Sequence, residues 1–273
     1  MYYPDPHVDT LLQDLLADES TRLNTRIILI GEHATIDVEE LIRKANAANL
    51  HFLGGIFPGI IFEKESTSNG VVVLDLKEQA DIHLIRHIQE EVIAFPNLNV
   101  YKDQNSQTAA FTFVDGLSAG IADFLKQLYH QLGASLHFIG GGAGSLSLVQ
   151  KPCLFTKEGV FQDAAIICVT QKRIRLGVRH GWTKLVGPFV ATKTARNLLY
   201  ELNWQNAFEI YQQTIFEDSG QQITPENFFD IAKGYPFGIF RDHSEDIVRD
   251  PISVGPDGEL VCVGEIPENT VLY

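Results

Sequence analysis

Residues His137 to Gly144 read HFIGGGAG, and a shorter form of the phrase, HFLGG, occurs at His51 to Gly55. Three consecutive glycines after an apolar pair predict a chain that leaves a strand and turns sharply. Glycine adopts positive φ and lets a second backbone or a ligand come close. Backbone N–H groups at such a turn could meet a small ligand, which makes Gly54, Gly55, Gly140, Gly141, Gly142 and Gly144 candidate binding positions. A tightly packed turn with no ligand is the alternative. The stretch is no phosphate loop, because no Lys-Ser or Lys-Thr follows at the required spacing. It is no G-x-G-x-x-G either, since position 145 is serine and the acidic ribose partner is missing.

Other groups could carry chemistry. His180, before Gly181 and Trp182, could ligate haem or bond a ligand carboxylate, or serve as a structural histidine. Arg249 stands beside Asp250 and Pro251; it forms either a structural ion pair or a bidentate clamp on an anionic ligand. His83 and His87 are four apart on a predicted helix, but H-L-I-R-H lacks the general-base glutamate of H-E-x-x-H, so an exposed polar face is the better reading. Cys168 lies among Ile166, Ile167 and Val169, surroundings that mute a thiol. With no Cys-His or Ser-His-Asp set and no G-x-S-x-G elbow, the chain is not expected to be an enzyme.

The elements that must position these groups follow from periodicity. Val8, Leu11, Leu12, Leu15 and Leu16 predict an N-terminal helix, followed by a polar run from Asp18 to Thr25. Arg26 to Ile30 predicts a strand covered on both faces. Asp37 and Glu40 predict a helix start, with Val38, Leu41, Ile42 and Ala45 on its apolar stripe. Strands are expected at 50–53 and 71–76, a helix over 79–92, and a polar connection over 96–107. The pattern then restarts: a strand over 109–114, a helix capped by Ser118 with Ile121, Phe124, Leu125, Leu128 and Leu132 on one stripe, and strands over 135–139 and 164–170. Strand, helix, strand, HF[L/I]GG, loop and strand thus occur twice, as expected of a duplicated αβ unit whose two related turns meet at a seam, a place ligands often bind.

Beyond residue 172 the pattern changes. Strands are expected over 173–180, 189–192 and 197–202, and a helix over 205–216. A short helix over 225–233 would be capped by Thr224, with a rigid turn over 234–239. A β-hairpin is expected from 247–254 and 259–263.

The chain has 273 residues, 45% apolar and 21% charged, and a formal net charge of −14. That is the balance of a globular protein, and its acidity argues against nucleic-acid or anionic-membrane partners. Cys153, Cys168 and Cys262 are too few for a disulfide framework and are expected as buried thiols. No apolar run approaches the ~20 residues of a membrane helix, and the first residues do not read as a secretory signal. A cytoplasmic location is expected.

The runs FVDGLSAGIADFLKQLYHQLGASLHFIGGGAG, KEGVFQDAAIICV and VRHGW resemble the N-terminal part of the FIST domain. The later runs LLYELNWQNAFEIY, YPFGI and EDIVRDPISVGPDGELVCVGEIPENTVL resemble its C-terminal part, in matching order from about residue 25. The resemblance implies an intracellular sensory and signal-transduction domain that binds a small ligand, such as an amino acid. Such domains work beside or fused to histidine kinases, cyclic-di-GMP enzymes or chemotaxis receptors; some members look like haem-based nitric-oxide sensors, and a ligand-free interaction scaffold is a third reading. With no kinase or other output segment in the sequence, a separate signalling partner is expected. Two features depart from the family pattern. Asn203 to Ala207 replaces an Asp-Gly-x-Pro-Ala-type turn, and the C-terminal part stops at Tyr273, short of the family's usual extent. The expected organisation is an N-terminal helix over 1–24, a FIST N-terminal part over 25–172 with duplicated units at 25–78 and 108–172, and a shortened C-terminal part over 173–273. The expected fold is α/β (α+β), with mixed sheets flanked by helices, an αββα stacking as one arrangement, and a C-terminal αβ extension.

Overall fold

The computed structural model describes residues 1–19, 22–101, 108–133, 136–172, 174–242 and 244–273. They form two compact units, 1–176 and 177–273.

The first unit runs, in chain order, β1 (Tyr2–Tyr3), α1 (Val8–Leu16), β2 (Thr25–Gly31), α2 (Val38–Ala47), β3 (His51–Phe57), β4 (Ile60–Phe62), β5 (Glu65–Thr67), β6 (Val71–Asp75) and β7 (Asp81–Arg86). It continues β8 (Ala109–Asp115), α3 (Ile121–Leu132), β9 (His137–Ala143), β10 (Leu154–Thr156), β11 (Gly159–Phe161) and β12 (Ala164–Thr170). One sheet has the order β1-β6-β2-β3-β10-β11 and a second β7-β12-β8-β9. The duplication is explicit in the pairing. β2 lies parallel to β3 and antiparallel to β6, and β8 lies parallel to β9 and antiparallel to β12. β1 and β7 occupy the matching outer positions.

Strand alternation builds the layers. Ile27 and Leu53 face a core shared with Phe113, Ala164, Ile166 and Cys168 of the other sheet. Ile28, Ile30 and Phe52 face α1 and α2, while Ala165, Ile167 and Val169 face α3. The unit is therefore helices, sheet, sheet, helix, and period-two alternation puts apolar residues on both faces of each central strand. The predicted start of α2 is observed: Asp37 Oδ1 accepts from the Glu40 N–H at 2.9 Å.

The second unit contains β13 (Phe189–Ala195), β14 (Leu198–Leu202), β15 (Gln205–Asn206), α4 (Ala207–Ser219), α5 (Phe228–Ala232), β16 (Phe237–Ile239), β17 (Ile247–Arg249), β18 (Pro251–Val254), β19 (Leu260–Cys262) and β20 (Val271–Leu272). Its antiparallel sheet has the order β17-β16-β20-β13-β14-β19-β18, with β15 beside β14. Tyr211 and Ile215 of α4 and Phe228 of α5 pack with Leu199, Leu202, Phe237 and Leu260.

Several expectations are corrected. Residues 81–86 form a strand, not part of a helix over 79–92, and pair with β12 from Asp81↔Val169 to Arg86↔Ala164. The apolar spacing there satisfies both periods, and pairing with β12 decides between them. His83 and His87 therefore share no helix face. α3 begins after Gly120, not under a Ser118 cap: the Ser118 hydroxyl donates to Asp163 Oδ1 at 2.8 Å and accepts from the Gly120 N–H at 3.4 Å, short of the helix's own N–H groups. Residues 174–180 form no strand; Arg173 lies outside the described residues, as do 102–107 of the polar connection and Ser135 of the predicted strand. The short helix is confined to 228–232, with Thr224 bonded to Asn227 instead of capping it. Phe237 to Ile239 is a strand inside the segment read as a rigid turn. The stretch 247–254 divides at Asp250 into β17 and β18, which lie at opposite edges of the sheet. Proline in a strand belongs at an edge, where Pro251 lies.

Candidate functional site

The glycine phrases are strands, not turns. Gly54 and Gly55 lie in β3, and Gly140, Gly141 and Gly142 in β9. Sterics explain the composition. A Cβ on Gly140 would come within 1.7 Å of the Thr112 carbonyl oxygen, so only glycine lets β9 approach β8 here. The chain turns at Gly144, where φ is +142° and the N–H donates to the Ile56 carbonyl at 2.8 Å. That bond joins the ends of the two related strands, so the repeats do meet there.

Their surroundings differ. Gly54 is sealed by the Phe155 ring, and Gly55 by Phe57 and Leu154. Gly140 to Gly142 are exposed and floor a groove of about 550 Å³ with Thr112, Phe138 and the α3 residues Leu125, Leu128 and Tyr129. Among the described residues, none that lines the groove is charged.

A second cavity, of about 610 Å³, lies wholly in the second unit. It combines aromatic walls with charged groups of both signs. Lys184 Nζ is 3.5 Å from the Tyr273 ring centroid, 5.0 Å from that of Phe240 and 3.1 Å from Asp246 Oδ2. The Arg241 N–H also donates to Asp246, at 3.1 Å. An ammonium held between two ring faces and a carboxylate has both cation–π and Coulombic partners. At the exposed rim the Tyr235 hydroxyl donates to Asp218 at 2.8 Å. Tyr211 donates to the Tyr235 carbonyl, also at 2.8 Å, and burial pushes its phenol up.

His180 lines this cleft with both ring nitrogens engaged. Nδ1 accepts from the Trp182 N–H at 2.9 Å, which puts the proton on Nε2, 3.5 Å from Glu245 Oε1. Arg179 also binds Glu245 and holds its carboxyl below the ordinary value. An axial haem ligand needs a free imidazole nitrogen, and His180 offers none without surrendering one of these partners. Among the described residues no cluster of three His, Cys, Asp or Glu side chains could hold a metal ion.

Arg249 does not line the cleft. Its guanidinium donates to the Glu265 carbonyl at 2.8 Å and the Val248 carbonyl at 3.0 Å. The candidates read from sequence therefore separate. Gly140, Gly141 and Gly142 share the groove, His180 is in the cleft, and Gly54, Gly55, Gly144 and Arg249 are held by internal contacts. Sequence reasoning misses Lys184, Asp246, Phe240 and Tyr273, which come from separate stretches with no motif linking them.

The chain is a duplicated four-layer α/β unit followed by an antiparallel α+β unit that carries a polar-aromatic cleft. Residues 26–205 match the FIST N domain and residues 207–273 the FIST C domain, and the chain belongs to the FIST family. FIST domains are sensory and signal-transduction domains, and the family is not a known enzyme family. The FIST N match runs past the first compact unit and takes in β13 and β14 of the second. No curated protein and no solved structure matches the chain. Among the described residues no helix is long and apolar enough to cross a membrane.

Proposed function

We propose that the chain is a cytoplasmic sensory module that binds a small amine-bearing ligand, such as an amino acid, in the cleft of its second unit. The observation behind this reading is the seat formed by Tyr273, Phe240 and Asp246, which holds the Lys184 ammonium. A ligand ammonium has the same chemistry and would take that position by displacing Lys184, which is half-exposed. Glu245 and Asp218 line the same cleft, and His180 and Arg241 could meet a ligand carboxylate. The proposed division of the chain is a helix-bearing segment over 1–24, a FIST N part over 25–172 and a FIST C part over 173–273, which contains the cleft. Its output is proposed to pass to a separate signalling protein, such as a histidine kinase or a cyclic-di-GMP enzyme.

Thermal unfolding in the presence of the free amino acids and simple amines tests the reading. A ligand far above its Kd stabilises the folded chain by about 3 kcal/mol, and the Asp246→Asn variant should lose most of that shift. If no amine moves the transition, or if the shift survives in both Asp246→Asn and Phe240→Ala, the proposed seat is wrong.

A further inference from the structure

The two repeats of the first unit are built alike but end differently, and the completed one shows what the other lacks. In the first repeat the outer edge of β3 is paired. β10 runs antiparallel along it, with Leu154 opposite Gly55 and Phe155 opposite Gly54. Phe155 is fully buried and packs among Leu41, Ile42 and Ala45 of α2, and the Asn46 side chain donates to the Lys157 carbonyl in the β10–β11 turn at 2.8 Å.

In the second repeat the equivalent edge belongs to β9. Among the described residues β9 has one strand partner, β8, and Gly140 occupies the place of Gly54. The space that Phe155 fills in the first repeat is here the open groove between β9 and α3. Leu125, which matches Ile42 by its place in the helix, is 46% exposed where Ile42 is 7% exposed, and the next groove residue, Tyr129, is 56% exposed. Thr112, opposite Gly140 as Ile28 is opposite Gly54, is 7% exposed, and its Oγ1 has no hydrogen-bond partner among the described residues. A buried hydroxyl without a partner is costly, and it marks where a polar atom of an occupant would arrive.

Among the described residues, neither hairpin of this unit supplies that occupant. β4–β5 follows β3 as β10–β11 follows β9, but only Pro58 and Gly59 separate β3 from β4. The β4–β5 hairpin is held in its own repeat instead: Phe62 of β4 stacks on Tyr2, and the His33 N–H donates to the Ser68 carbonyl just beyond β5. β10–β11 is already committed to β3. Pairing β9 with β9 of a second copy would set glycine against glycine and leave the groove unfilled.

We propose that the free edge of β9, with the groove beneath α3, is a docking site for an extended segment of a partner protein. The segment adds as an antiparallel strand and seats an aromatic side chain over Gly140. This is strand addition to an exposed sheet edge, with main-chain bonds for affinity and one pocket for specificity. A tyrosine suits the pocket better than phenylalanine, because its hydroxyl can reach Thr112. The site is separate from the ligand cleft and does not depend on it.

The probe is a labelled synthetic peptide with the sequence of residues 153–161 carrying Cys153→Ser, offered to the full chain. Hydrogen exchange should slow in residues 137–143 and stay unchanged in 51–57. Phe155→Ala in the peptide, or Leu125→Glu in the protein, should weaken binding about tenfold, as loss of a central anchor does. Tyr129→Ala provides a second exposed variant should Leu125→Glu fold poorly. A Phe155→Tyr peptide should bind more tightly than the original and lose that advantage against Thr112→Val. The proposal is overturned by unchanged exchange in 137–143 at the highest soluble peptide concentration, or by protection confined to 51–57. A dimer of the free chain that Leu125→Glu abolishes would also overturn it by identifying a second copy as the occupant.

Discussion

The tip of the Phe155 ring lies against Gly54, and a Cβ built on that glycine would come within 2.2 Å of Phe155 Cζ and 2.3 Å of the Ile28 carbonyl oxygen. Neither neighbour can yield easily: Phe155 is fully buried, and the carbonyl belongs to the parallel strand β2. Gly54→Ala should therefore cost about 3 kcal/mol by overpacking. Gly141 of β9, one residue beyond the position that matches Gly54, would have nothing within 4 Å of an added methyl group. Gly141→Ala should be neutral, or stabilising by roughly 0.5 kcal/mol through the reduced freedom of the unfolded chain. Urea unfolding of the two variants measures the contrast, and equal effects would contradict the packing described.

Acid should weaken the first unit through two histidines. Burial holds both His51 and His83 below the ordinary imidazole value of 6.5. His51 Nδ1 lies 2.8 Å from the Thr25 hydroxyl. Tyr101 donates to Asp81 Oδ2 and so accepts from His83 Nε2, each at 2.8 Å. As pH falls through the unfolded value, the unfolded chain takes up protons that the folded chain resists. The stability contributed by the neutral rings is complete above 6.5 and is lost as pH falls through their lower folded values. Unfolding free energy should fall as pH drops below about 6.5, and less steeply in a His51→Gln, His83→Gln double variant.

The thiols should be silent. Cys153, Cys168 and Cys262 are buried, and burial pushes each up to about 12. A disulfide reagent such as DTNB should titrate none of them in the folded chain near pH ~8 and all of them in denaturant. A thiol reacting quickly in the folded state would show that its strand opens.

Lys184 should compete with the ligand rather than support the fold. Its side chain is about half exposed, so its ion pair with Asp246 contributes roughly 0–1 kcal/mol. Lys184→Met should change the unfolding midpoint little and tighten amine binding in the cleft, which calorimetric titration would read directly. Weaker binding in this variant would make the lysine a ligand contact instead.

The elements most legible in the sequence are those whose signal is local. Uninterrupted apolar runs announce β2 and β12, and Asp37 with Glu40 announces α2. The duplicated order of elements reappears as duplicated strand pairing. β7 reads as helix in the sequence because its spacing suits one until β12 is present to pair with it. The glycines of β3 and β9 read as turns because the reason for them, a neighbouring carbonyl or ring, comes from another strand. Arg249 looks like an anion clamp, yet two backbone carbonyls claim it. The cleft is the least legible part. Lys184, Phe240, Asp246 and Tyr273 meet only because the sheet brings β16 against β20.

The two-residue link of Pro58 and Gly59 has an evolutionary consequence. Two copies of one ancestral unit need not diverge at every position to acquire different roles. The ten-residue link before β10, against two residues before β4, gives one copy's hairpin the freedom to cross and finish its neighbour, while the neighbour's hairpin stays at home. Specialisation here would then begin with an insertion in a loop, before any side chain at the open edge was selected for what it binds.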